Sequence, residues 1–330
     1  MKHEPSNQFE RFLAITLLAS LAFAQPLMSL FGRQAEFLVA HRVSGFELLV
    51  FTFVLALLTP ALIGIAPLLA GRLKAEIQSL VFYFLFAVLS LLISLPLLIS
   101  AGFQGAAIKL AAGAIAFLSA WLFHRFETVR LFFRYFSVAV LVFPVIFLFF
   151  SRASVLLSTE EATQDQQAVS FQSRPDIIFL VLDEFPLVSL LNSELEINRE
   201  RFPHFARLAD QATWYRAATS PAETTVAAVP AILSGMRPLP ASELLPIAAN
   251  FPRNLFTLLQ NDYRMIAYET ATRLCPVSKC SGDKQTSTGK PSSGNLLNDL
   301  KLIYLHIVTP PPWSKNLPSI SNAWSGFARE

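Results

Sequence analysis

The sequence predicts an α-helical membrane domain of about five transmembrane helices, followed by an α/β domain with a mostly parallel sheet. Three observations carry that expectation. The 330 residues are 53% hydrophobic and only 15% charged, which is not the composition of two ordinary soluble domains. From Phe12 to Phe150 the apolar residues come in blocks of roughly 20, the length that crosses a hydrocarbon core of about 30 Å. After Ser151 the blocks stop, and short apolar runs alternate with helical patterns.

The spans are expected near 12–31, 45–68, 80–100, 105–123 and 131–150. The fourth carries Lys109 close to an end, where its stem can snorkel to the interface. Pro26, Pro60, Pro96 and Pro144 fall inside spans and predict kinks, because neighbouring groups in a bundle re-satisfy the freed carbonyls. With the N-terminus inside, Lys2, Arg11, Arg72, Lys74, Arg125, Arg130 and Arg134 lie on the cytoplasmic side, against Arg33 and Arg42 outside. An odd number of spans then places everything after residue 150 outside the cytoplasmic (inner) membrane. The first span is too long for a signal core and lacks a small-residue cleavage site, so it reads as an anchor.

Cys275 and Cys280 are the two cysteines, and both fall in the part placed outside. A disulfide closing this short loop suits an oxidising compartment; half of a metal site is the alternative, with His204 and His306 far away in sequence. A net charge of +3 and the lack of a basic stripe with interleaved aromatics give no sign of a nucleic-acid partner.

Residues 151–173 are polar and aperiodic, a tether. The second domain spans 174–330. It opens with Ile177-Ile-Phe-Leu-Val-Leu182, an unbroken apolar run suited to a strand covered on both faces. Asp183 and Glu184 follow, at the carboxyl end of that run, where open α/β sheets place their ligands; solvated loop acids are the bland alternative. Residues 202–211 and 254–260 read as helices, 213–218 and 263–268 as strands, and 281–297 as a mobile surface loop. The stretch Ser220-Pro-Ala-Glu-Thr-Thr-Val-Ala-Ala-Val-Pro-Ala-Ile-Leu-Ser-Gly235 reads as an apolar helix with Thr224 or Thr225 at its start. Either hydroxyl can simply cap the helix. The same geometry also favours an anion and stabilises an alkoxide.

The run Pro175 to Glu184, followed by Phe202-Pro-His-Phe-Ala-Arg-Leu-Ala209 and Thr213-Trp-Tyr-Arg-Ala-Ala-Thr219, resembles the N-terminal half of the sulfatase-like branch of the alkaline phosphatase superfamily. In that branch a strand ends in metal-binding acids, and a nucleophile follows some forty residues later at a helix N-terminus. Here Thr225 stands 42 residues after Asp183 and ten before Gly235. Val229-Pro230 is similar to the Val-Pro after the Thr nucleophile of membrane phosphoethanolamine transferases. Ile303 to His306, Pro310 to Trp313 and Trp324 to Phe327 look like a membrane-anchored sulfatase-like hydrolase/transferase group.

The resemblance implies Thr225 as nucleophile and Asp183, Glu184 and Thr225 as ligands of a divalent metal, whether Zn, Mn, Mg or Ca. It implies an ester substrate such as a lipid head group or envelope glycan, with membrane lipid as a further partner. Two departures bear on this. Ala227 and Val229 replace the Pro and Arg that formylglycine formation needs, so phosphoryl chemistry on Thr fits better than formylglycine sulfatase chemistry. The family's downstream Asp-His and His-x-x-His ligands have no counterpart through Glu330. The expectation is an incomplete catalytic domain: a portion of a longer enzyme, or a non-catalytic membrane protein that keeps a sulfatase-like domain for binding or scaffolding.

Overall fold

The computed structural model describes residues 7–158, 171–238, 244–276, 280, 293–320 and 327. Five helices are long and apolar enough to cross a membrane: Gln8–Arg33, Gly45–Gly71, Ala75–Ser100, Gly105–Arg125 and Glu127–Phe150. Each overlaps one predicted span and extends it by a few residues, since helices continue past the hydrocarbon until a cap or break stops them. Asn7 and Ser44 supply two of the starts through capping boxes with Glu10 and Glu47. The chain is built as a multi-pass membrane protein.

The first span lies at the centre of the bundle. Its most apolar window is 61% buried, against 28, 33, 22 and 17% for the others. Gly64 of the second span permits close approach, because a Cβ there would overlap Thr16 Oγ1. The third, fourth and fifth spans meet around Phe82, Phe86, Phe123 and Phe133, with centroids 5.1–5.5 Å apart. Two of the prolines act through the turn before them. Wide π-helical turns at Ser20–Ala24 and Val54–Leu58 directly precede Gln25-Pro26 and Thr59-Pro60. The wider turn relieves the clash between each proline ring and the carbonyl four residues back.

The second half is seated on one end of this bundle. Leu245, Ile247, Leu300, Leu302, Ile303 and Phe327 share a core with Leu27, Phe31, Phe37 and Leu38. The tether expected over 151–173 does not hold at its start: Arg152–Leu157 is a 3-10 helix, and its Ala153 and Leu156 are buried in that same core. Its Val155-Leu156-Leu157 is apolar enough to pack, a local feature that the polar average of 151–173 obscures; 159–170 lie outside the described residues. Lys109 is exposed, and its Nζ lies 4.4 Å from the centroid of the Trp313 ring.

The α/β expectation meets a different picture among the described residues. They contain helices and three isolated bridges, Leu191 with Ile197, Ile247 with Arg273 and Met265 with Cys280, but no paired strand. Residues 177–182 are not helical and lie exposed, Ile178 by 94% and Leu180 by 75%. Residues 213–218 form no strand, and 263–268 contribute one bridge. A buried-type apolar run becomes a strand only when neighbours supply its ladder, and among the described residues none pairs with this run. Predicted helices fare better: Pro203–Gln211 and Leu255–Leu259 form as expected, the latter capped by Asn254. Residues 293–297 belong to helix Ser293–Val308 rather than to a surface loop, and 281–292 lie outside the described residues.

Tyr304 on that helix packs against Phe23 at 5.2 Å, with a buried hydroxyl that has no hydrogen-bond partner among the described residues. Burial pushes its phenol up to about 12. A raised folded-state value means stability is intact below the ordinary 10 and is lost as pH rises toward about 12. Tyr304→Phe keeps the ring and removes the unsatisfied group. It is expected to raise the melting temperature slightly at pH 7 and to flatten the loss between pH 10 and 12, as read by thermal unfolding of the two proteins across that range.

Candidate functional site

Helix Thr225–Ser234 begins after Thr224, which sits in extended conformation and makes no side-chain cap. Gly235 closes the helix in the left-handed region at φ 66°, a conformation that favours glycine. Pro230 is buried in the helix and does not break it. Thr225 therefore stands in the first turn, at the positive end of the helix dipole.

Its hydroxyl does not cap the helix. Thr225 Oγ1 donates to Asp183 Oδ1 at 2.8 Å, across 42 residues of chain. Asp183 in turn accepts from the Glu184 backbone N–H at 3.1 Å, and Glu184 holds φ 52°. A non-glycine residue in the left-handed region carries strain, and here it falls directly beside the carboxylate that meets Thr225. Asp183 and Glu184 are exposed, Thr225 half-buried.

Asp183 and Thr225 line a cavity of about 370 Å3. The run from Ile177 to Val181 forms one wall, Val229 and Leu233 of the Thr225 helix a second, and residues 263–272 a third. The two runs expected as strands thus flank one space together with the predicted helix. The family resemblance linked Asp183 with Thr225, and the fold puts them in contact. No hydrogen bond joins the Glu184 side chain to either.

The candidate histidines stand elsewhere. His204 is exposed on its helix, with Nδ1 3.2 Å from Arg207 Nη2. His306 Nε2 donates to the Pro318 carbonyl at 2.9 Å. Cys275 and Cys280 form a disulfide, which removes them as thiolate ligands. Among the described residues no group of three or more His, Cys, Asp or Glu is placed to hold a metal ion. Asp183, Thr225 and the neighbouring Glu184 are hard oxygen donors of the kind that suits a divalent cation, fewer than the usual four to six or more ligands.

Spacing gave no hint of two further polar groups. Glu269, on the cavity wall, accepts from Thr272 Oγ1 at 2.7 Å and from the N–H groups of Leu274 and Cys275 at 2.8 and 3.0 Å. Its carboxylate holds the turn into the disulfide. His41, between the first two spans, contacts Asp299 Oδ2 through Nε2 at 3.0 Å and the Phe37 carbonyl through Nδ1 at 2.9 Å. Both side chains are sealed, at 0 and 1% exposure. The signal available in the sequence was a lone His in the loop between the first two spans and an Asp within an apolar helix, which spacing alone cannot pair.

The fold defines a polytopic helical membrane protein with a second half seated on one end of the bundle. In comparisons with protein-family models, curated proteins and solved structures, the chain finds no match.

Proposed function

We propose that the chain is a membrane-anchored hydrolase or transferase of phosphate or sulfate esters, sulfatase-like in organisation, with Thr225 as nucleophile. The observation that carries this reading is the 2.8 Å hydrogen bond from the Thr225 hydroxyl to Asp183 at the start of an apolar helix. In this reading, 177–182 and 263–268 are strands of a mostly parallel sheet that carries the Thr225 helix on one face. That both runs line one cavity together with that helix supports the arrangement. The N-terminus lies inside and the site lies outside the cytoplasmic membrane, supported by the excess of Lys and Arg in the segments counted as inside. A lipid head group or an envelope glycan fits a site held near the bilayer.

The Asp183 carboxylate accepts the Thr225 proton and orients Oγ1 toward the cavity. Thr225 Oγ1 attacks phosphorus, one ester P–O bond breaks, and the leaving oxygen takes a proton from water and departs as the alcohol, leaving the phosphoryl group bonded to Thr225. Water or an acceptor hydroxyl then takes the phosphoryl group. The first-turn N–H groups of the helix face the developing charge on the phosphoryl oxygens. A divalent metal on Asp183, Glu184 and Thr225 would supply Lewis-acid neutralisation of those oxygens when bound.

Intact-mass analysis of the detergent-solubilised chain, incubated in parallel with phosphodiester and sulfate-ester substrates, tests this. A covalent adduct on Thr225 that is absent from Thr225→Ala is the expected result. No adduct with either ester, or the same adduct in Thr225→Ala, would overturn it.

A further inference from the structure

A second cavity, of about 600 Å3, opens between the ends of the first and fifth spans on the side that carries the second half. Its size falls in the range of roughly 300–1,000 Å3 common for small-molecule sites. Met28, Phe143, Ile146, Phe147 and Phe150 make its apolar wall, and Arg33 and Arg152 stand at its rim. Gly32 sets its depth, since a Cβ at that position would sit 3.1 Å from Ser151 Cβ. At Ser151 the fifth span ends in extended backbone, and its hydroxyl donates back to the Phe147 carbonyl at 2.5 Å.

The two rim arginines differ in how their charge is met. Arg152 pairs with Glu36 Oε1 at 2.7 Å and donates to the Arg33 carbonyl at 2.9 Å. Arg33 donates to Ser29 Oγ at 2.8 Å and to the Ser29 carbonyl at 3.3 Å, both neutral acceptors. Among the described residues no carboxylate pairs with it. Its guanidinium therefore folds back one turn toward the span, above an apolar wall whose Ile146 and Phe150 are 51 and 80% exposed. A snorkelling arginine would extend the other way, into water. A cation at interface depth above an apolar groove between two spans is complementary to a phosphate joined to an acyl chain.

We infer that this groove binds one phospholipid of the adjoining leaflet. Arg33 and the Ser29 hydroxyl hold the phosphate, and Phe143, Ile146 and Phe147 flank an acyl chain. The site shares no residue with the Thr225 cavity, so either reading can fail without the other.

The test uses the full chain in nanodiscs of phosphatidylcholine and phosphatidylglycerol, doped with a phosphatidylglycerol that carries a photoactivatable acyl chain. Crosslinks mapped by mass spectrometry are expected to concentrate on 25–33 and 143–152. Arg33→Gln should reduce them about tenfold, the loss of one charge-assisted contact, while Arg33→Lys retains most of them. Ile146→Trp, which fills the groove without altering charge, should reduce them as well. Crosslinks elsewhere on the spans and the melting temperature serve as controls for folding. Labelling spread evenly over the five spans, or labelling unchanged in both Arg33→Gln and Ile146→Trp, would overturn the inference. So would displacement of the lipid by millimolar inorganic phosphate, which would make the ligand a free anion.

Discussion

Asp299→Ala is expected to destabilise the seating of the second half on the membrane bundle by about 3–5 kcal/mol, the usual cost of removing one partner from a buried pair. His41 is held at both ring nitrogens, at 2.9 Å from the Phe37 carbonyl and at 3.0 Å from Asp299. Without Asp299, that ring has lost its carboxylate at a position closed to water. The backbone N–H of Phe327, which donates to Asp299 Oδ1 at 3.0 Å, loses its acceptor too. Hydrogen exchange across 36–41 and 299–308, with thermal unfolding of the full chain, reads the effect. The double variant His41→Phe, Asp299→Leu separates a lost pair from a lost shape, because a well-packed apolar replacement of a buried pair is often close to neutral. An Asp299→Ala protein with wild-type exchange and melting would show that the apolar core around Leu300 and Ile303 holds the second half without the pair.

Thr225→Ala is expected to abolish covalent labelling by the ester substrates, and Asp183→Asn to slow it by about 10²–10⁴-fold, the range for a positioned proton acceptor. The two should not add when combined, since without the hydroxyl the carboxylate has nothing to orient. Thr224→Ala is the internal control. Thr224 makes no side-chain cap in the structure, and its replacement should leave the labelling rate near wild type. Equal losses in Thr224→Ala and Thr225→Ala would point to a damaged helix start rather than a missing nucleophile.

The elements legible in the sequence share one physical property: their determinants are local. Helix Thr225–Ser234 announces itself by an apolar run with Thr at one end and Gly235, its left-handed stop, at the other. The Asp183–Thr225 contact is long-range, and it was anticipated only through the resemblance. The run 177–182 shows the opposite case. Its apolar, β-rich composition is a statement about neighbours, and the described residues pair no strand with it. Arg152–Leu157 was missed for a related reason, because its burial comes from the ends of the spans it meets.

By itself the sequence determined the five spans, since bilayer thickness imposes a length and an apolarity that any stretch meets or fails alone. It also marked Cys275 and Cys280 as a pair, through a short loop and the absence of other partners. Only the tertiary structure decided how the second half sits on the bundle. His41 and Asp299 are 258 residues apart, Arg273 donates to the Val43 carbonyl from 230 residues away, and Arg42 reaches the Glu269 carbonyl across 227. Such contacts depend on where two independent surfaces come to rest, and no periodicity or spacing along the chain encodes that position.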